Sequence, residues 1–305
     1  MSTLIFDPAL MYAEVTPLIS ALTRRDWAGC RTVLDAAPAT ARTRLIVLGG
    51  EQSDLDGFLR GVLREAPDDG AAAAMLGSHL TTVAWQIRSR KQAQFVGRDQ
   101  FRAFHEMLAA AEEVLVDGAA RNPADAAMWT ARMPTARGLE LGQPEARRRY
   151  DRLSAVEPNH LPAQEHLLQQ LCPKWGGTWE TAFTFARDAM RAAPPGSPNA
   201  VLVAEAHLER WVDANGSDAY MRSAEVIAEL HEAAQTSIWH AGFGRAHGWV
   251  RVLSTFAMVF SLADDQPAAE RVFAALGGFA TKRPWDYLGD PAAVVRERRR
   301  RAGIG

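Results

Sequence analysis

Ten residues, Leu171 to Glu180, carry two tryptophans, a proline, a glycine pair and a lysine in the order LCPKWGGTWE. Lys174 beside the Trp175 indole is an arrangement that can hold an anion or an aromatic ligand, through charge and through the ring quadrupole. Just upstream lie Glu165 and His166, with His160 a little earlier. A histidine next to a carboxylate can move protons near neutral pH. The same pair makes a poor metal site: neighbours on a helix point about 100° apart, whereas metal ligands on one helix recur at i, i+3 or i+4. His166, Glu165 and Lys174 are therefore the candidate catalytic groups, with no metal and no cofactor expected. Trp129, Arg132 and Arg137, together with Arg147 and Arg148, add an indole and guanidinium groups of the kind that recognise carboxylates or phosphates. The expected ligand-binding set is Trp129, Arg132, Arg137, His166, Lys174 and Trp175.

Two further constellations carry weaker signals. Glu205 and Glu209 in VAEAHLERW stand at i and i+4 around His207, with Arg210 alongside. Two carboxylates on one helix face can contribute to a metal site, but no Glu-x-x-His follows, and a solvated face with ion pairs explains the pattern better. His240 and His247, with Phe243, Arg245 and Trp249, share a face if the segment is helical. Two turns separate them by about 10.5 Å, too far for one metal but close enough to line one pocket. There is no phosphate-binding Gly-x-x-x-x-Gly-Lys loop, no Gly-x-Gly-x-x-Gly after a strand, no Gly-x-Ser-x-Gly and no His-Glu-x-x-His. Common nucleotide enzymes, serine hydrolases and zinc peptidases are thereby disfavoured.

The elements that must position these groups read as helices. Asp68 and Asp69 open a helix running to about Arg90, their charges suited to its positive N-terminus. Phe101, Phe104, Met107, Leu108, Ala111 and Val114 form a helical stripe. Only TRLIVLGG at 43–50 has a strand-like composition. Within LCPKWGGTWE, Pro173 stops one helix, Gly176 and Gly177 allow a tight reversal, and Thr178 caps the next helix, so most of the motif also makes sense as an inter-helix corner. Later helices are expected over 198–212, 218–235, 239–262 and 266–276, the last closed by Gly277 and Gly278.

Pro123, Pro158 and Pro194 each follow an amphipathic stretch and recur at intervals of 35 and 36 residues. Tetratricopeptide repeats recur at about 34 residues and close on a proline after the second helix. The longer gap from Pro67 to Pro123 corresponds to one repeat plus an insertion, assigned to 91–100. Gly138, Ala146 and Tyr150 fall where such a repeat wants a close approach, a small residue and an aromatic ring, although the full signature is absent. The reading is an all-α, right-handed, tetratricopeptide-like helical-repeat solenoid forming one domain over 1–305. It has N-terminal helices in 1–66, repeats in 67–212, and C-terminal helices with a cap in 213–305. The tail KRPWDYLGDP at 282–291 supplies the cap.

The net charge of −2 gives no reason to expect nucleic acid or a membrane surface as partner. The basic run Arg296 and Arg298 to Arg301 reads as a solvated helix end. Two distant cysteines, Cys30 and Cys172, make neither a disulfide framework nor a zinc motif. The first residues lack the pattern of a signal peptide, and no apolar run reaches the roughly 20 residues of a membrane span, so a cytoplasmic setting is expected.

Three segments, LCPKWGGTWETAFTFAR at 171–187, RVFAALGGFATKRPWDYLGDP at 271–291 and WTARMPTARG at 129–138, resemble an uncharacterised actinobacterial helical-repeat family of the domain of unknown function 4034 type. The resemblance covers residues 1–291. It implies a helical-repeat fold and a bacterial cytosolic setting, and no activity. The expected function is therefore a scaffold, monomeric or homodimeric, whose concave face binds a protein or peptide. The alternative is a small-molecule-binding protein or unusual enzyme with a pocket around Trp129, Arg137, His166, Lys174 and Trp175.

Overall fold

The computed structural model describes residues 3–88 and 97–304. Every regular element among them is a helix, and the only strand-like pairing is an isolated parallel bridge between Ile5 and Phe279. None of these helices is long and apolar enough to cross a membrane. The chain divides into two compact units, Ala13–Gln170 (the N-terminal unit) and Met1–Tyr12 with Leu171–Gly305 (the C-terminal unit).

A short helix, α1 (Pro8–Met11), lies in the leading segment. The N-terminal unit then runs through α2 (Val15–Thr23), α3 (Trp27–Ala36), α4 (Ala39–Gly50), α5 (Asp56–Glu65), α6 (Gly70–Arg88), α7 (Arg98–Arg121), α8 (Ala126–Gly138), α9 (Gly142–Ser154) and α10 (Leu161–Leu171). Sequence neighbours pack as antiparallel-type pairs, α2 with α3, α6 with α7 and α8 with α9. Further packing runs α2 on α4, α4 on α6 and α6 on α8, and α5 also packs on α6. A helix covered on so many sides has to be apolar or small all round. Accordingly α6 is buried continuously from Gly70 to Thr81, through four consecutive alanines. The second members are amphipathic. On α7 the buried stripe is Phe104, Leu108, Ala111 and Leu115; Val114, expected there from sequence, is only half-buried. Gly77 has no room for a Cβ because the Leu115 side chain already fills that space, so α6 and α7 approach closely.

Two expectations for this unit change. TRLIVLGG is helical within α4, because Leu45, Ile46 and Gly49 fall on the face buried against α2 and α6, and that packing outweighs strand propensity. The expected insertion at 91–100 falls mostly outside the described residues, and Arg98, Asp99 and Gln100 already belong to the first turn of α7.

The C-terminal unit contains a 3-10 turn at Pro173–Trp175, followed by α11 (Trp179–Ala192), α12 (Val201–Asp213), α13 (Asp218–Met221), α14 (Ala224–Thr236), α15 (Trp249–Leu262), α16 (Gln266–Leu276) and α17 (Pro291–Arg301). The central helix is α12, buried from Val201 to Glu209, with α11, α14 and α15 packed on it. The expected helix over 239–262 begins only at Trp249. Gly242, Gly244 and Gly248 interrupt it, and Gly248 takes a φ of +99° as the residue preceding α15. Residues 237–248 are therefore turns, which brings Trp239 and His240 beside the end of α14 and removes the helical spacing expected for His240 and His247. His247 instead stacks on Tyr12 at 4.0 Å. The expected helix over 218–235 is two helices, broken before Ser223, whose hydroxyl caps α14.

The leading segment joins this unit through Ile5 N–H to the Gly278 carbonyl and Ala280 N–H to the Ile5 carbonyl, at 2.9 and 3.0 Å. In the tail, Trp285 is fully buried and stacks on Phe273 at 5.8 Å. The terminal basic run is not uniformly solvated. Arg299 is buried and donates to the Gly277 carbonyl, and Arg298 donates to the Ser261 carbonyl. Burial lowers the pKa of both guanidinium groups.

Candidate functional site

The corner that opened the sequence reading folds as its residues dictate. Gly176 has a φ of +84°, and a Cβ on Gly177 would collide with the Leu171 carbonyl. Thr178 caps α11 in a reciprocal box with Thr181: the Thr178 hydroxyl accepts from Thr181 N–H at 3.1 Å, and the Thr181 hydroxyl accepts from Thr178 N–H at 3.2 Å. Lys174 already has an anion. Its ammonium donates to Glu209 Oε2 at 2.6 Å, and the Tyr287 hydroxyl donates to Glu209 Oε1 at 3.0 Å. Glu209 and Glu205 were expected on a solvated face. Both are buried, and Glu205 accepts from Arg251 at 2.7 Å.

His207, on the other side of α12, is buried and bonded through both ring nitrogens. Nδ1 lies 2.6 Å from the Tyr220 hydroxyl and Nε2 2.9 Å from Glu229. Burial by itself would raise the Glu229 pKa, but hydrogen bonds from His207 and Arg187 hold it at about 2. Glu229 is thus an ionised acceptor. A neutral His207 then carries its proton on Nε2, and Nδ1 accepts from the Tyr220 O–H. Burial pushes that hydroxyl up to about 12, against the opposing pull of Arg210. The group clamps α11, α12, α13 and α14 together through Arg187, His207, Tyr220 and Glu229.

The candidates of the N-terminal unit are also committed. Trp129 is buried and its indole N–H donates to the Pro123 carbonyl at 2.8 Å. Arg132 is buried, lies over Trp129 and donates to Glu112 at 2.6 Å. Arg149 lies between the same Glu112 and Glu145, donating at 2.8 and 2.7 Å. Hydrogen bonds from Arg148 and Arg149 hold the Glu145 carboxyl at about 2. Glu165 pairs with Arg44 at 3.0 Å, and Arg137 donates to the His166 backbone carbonyl at 3.4 Å. The structure therefore joins Trp129 with Arg132, and Arg137 with His166, while Lys174 and Trp175 belong to the other unit. His160 is buried with no hydrogen-bond partner for either ring nitrogen among the described residues; burial, then Arg44, lowers its pKa to about 4. A cavity of about 400 Å³ beside Arg42, Asn122, Asp125 and Glu157 holds the bidentate Arg42–Asp125 pair, both contacts 2.9 Å.

The C-terminal unit has a different kind of cavity. A groove of about 610 Å³ is lined by His231 and Gln235 of α14, Trp239 and His240 of the following turn, and Asp265 and Arg271 at and on α16. Asp265 caps α16, accepting from Ala268 N–H at 3.1 Å, and its second oxygen lies 2.7 Å from His231 Nε2. The carboxylate thus fixes the orientation of His231, leaving Nδ1 as the ring's other functional atom. Trp239 stacks on Phe260 at 5.4 Å with the planes 9° apart. Its indole nitrogen is buried without a hydrogen-bond partner among the described residues. Arg271 lies 4.6 Å from the Trp239 ring centre and has no ion pair among the described residues. His240 is exposed, and its Nδ1 accepts from Gly242 N–H at 3.0 Å.

Of these residues the sequence pointed to His240 alone, and not to His231, Trp239, Asp265 or Arg271. His231 lies in the middle of α14 and Asp265 at the cap of α16, 34 residues on, and no local pattern links the two. No group of three or more metal-ligating side chains converges among the described residues. No protein-family model matches the chain, and no curated protein matches it significantly.

Proposed function

We propose that the chain is a binding protein built from tetratricopeptide-like hairpins, and that the groove beside α14 and α16 is where it holds a protein or peptide partner. Two features support the hairpin reading: the proline interval and the packing of consecutive helices, α2 with α3, α6 with α7 and α8 with α9. The resemblance to the actinobacterial helical-repeat family points the same way and carries no activity with it. The observation that carries the functional reading is the contrast in partnering. The candidate groups on α8, α10 and the 171–180 corner already hold internal partners, whereas Arg271 and one nitrogen each of His231 and His240 line a groove without any among the described residues, beside the ring of Trp239. Convergent polar groups around an aromatic wall are what binding sites present.

The test is native mass spectrometry of freshly purified protein beside its denatured form, for the natural chain and for W239A. A bound mass or partner that is present on the natural chain and lost from W239A supports the groove. Equal retention by W239A places recognition elsewhere. A second reading, a small-molecule enzyme, draws on the Asp265-oriented His231, an arrangement that suits a general base. Turnover in a substrate screen that H231Q abolishes would favour it over the binding protein.

A further inference from the structure

The chemistry of the groove narrows what it takes. Its polar lining is mixed: Arg271 and His240 offer donors, Gln235 both a donor and an acceptor, and neutral His231 an acceptor at Nδ1. Arg271 offers guanidinium N–H groups and no acceptor. In neutral His240, Nδ1 accepts from Gly242 N–H, so Nε2 carries the proton and is a donor. The one carboxylate on the wall, Asp265, is turned to His231 and to the amide of Ala268. Two other acids, Glu232 and Glu270, adjoin His231 and Arg271 in sequence and are exposed, but neither lines the groove. One guanidinium without an ion pair among the described residues thus stands in an open cavity beside the His240 donor.

We propose that the α14–α16 groove binds a carboxylate, held in the fork of Arg271 and by the Nε2–H of His240. The proposal rests on the reading of this groove as the binding site. A carboxylate fits better than a phosphate on two grounds. The planar guanidinium matches two carboxylate oxygens in a parallel pair of hydrogen bonds. The groove also has one formal cation without a carboxylate, which balances one charge rather than the near-double charge of a phosphate monoester. Stacking on Trp239 holds the guanidinium over the ring, so little side-chain freedom remains to be lost when the ligand docks.

The carboxylate has two sources, an acidic peptide side chain or a free organic acid, and the probes separate them. A short peptide carrying glutamates, the same peptide with glutamines, and succinate are titrated into the full chain. Calorimetry and the Trp239 indole N–H resonance, assigned with W239F, are the readouts. The glutamate peptide or succinate is expected to bind and shift that resonance, and the glutamine peptide is not. Which of the two acids binds more tightly identifies the source. R271Q is expected to weaken binding about tenfold or more, the effect of losing a charge-assisted pair, with its circular dichroism unchanged. R271K, which keeps the charge and loses the fork, is expected between the two. Equal binding of glutamine and glutamate peptides at Trp239 overturns the carboxylate assignment and leaves the groove as a site. A Trp239 resonance unmoved by all three probes overturns both.

Discussion

Arg149 on α9 and Arg271 on α16 are helix arginines, one in each unit, and they are handled in opposite ways. Arg149 is almost wholly buried on α9, bonded to Glu112, Glu145, the Thr135 hydroxyl and the Arg132 carbonyl. Arg271 is exposed on α16, stacked on Trp239 and without a carboxylate among the described residues. The first arrangement joins α7, α8 and α9 and turns the guanidinium to partners inside the unit. The second leaves a pre-positioned cation facing a groove. Residue type alone therefore does not tell a charge that ties helices together from one left without an ion pair among the described residues; the internal partners do.

The comparison can be broken at several points, and the largest effect belongs to the buried network. R149A takes two hydrogen bonds from the half-buried Glu112, which keeps Arg132 and Thr135, takes one from Glu145 and empties a buried site; it is expected to cost about 2–3 kcal/mol of folding stability, measured by urea unfolding. A loss below about 1 kcal/mol would mean the network is solvated and adaptable. Next comes His160. Its pKa is lowered from 6.5 to about 4 in the folded chain, through burial first and Arg44 second, with Glu165 and Asp125 opposing. Between those values the unfolded chain binds a proton that the folded chain excludes, so stability rises with pH and is lost as pH falls. Lowering the pH from 7 to 5 is expected to remove about 2 kcal/mol through this group, and H160Q to remove that part of the slope. An unchanged slope in H160Q would contradict it. Smaller again is Y287F, which removes one donor from the buried Glu209 while leaving Lys174 in place; about 1 kcal/mol is expected by the same unfolding measurement.

Much of the helical layout was legible because the signals are local. The prolines, the Thr178 cap, the Gly176–Gly177 corner and helix 266–276 follow from backbone chemistry within a few residues. The failures share a cause in tertiary context. Leu45 and Ile46 have strand-forming neighbours, yet the packing of α4 on α6 decides their state. The glycines at 242, 244 and 248 broke a helix that apolar content alone suggested. Glu205 and Glu209 looked like a solvated face because their cations, Arg251 and Lys174, lie 46 and 35 residues away. His231 and Asp265, 34 residues apart, were silent, because only the packing of the C-terminal unit brings them together. The chemistry-bearing residues that stood out in sequence, Trp129, Arg132 and Lys174, stood out because they build buried or paired contacts.

The measurement that tests this contrast most directly is urea unfolding of R149A and R271Q side by side. R271Q is predicted to stay within about 0.5 kcal/mol of the natural chain, the usual range for a surface substitution away from a network, while R149A falls by several times that amount. A loss in R271Q comparable to that in R149A would show that Arg271 holds the fold together, and the groove would lose its claim as the place where this protein meets a ligand.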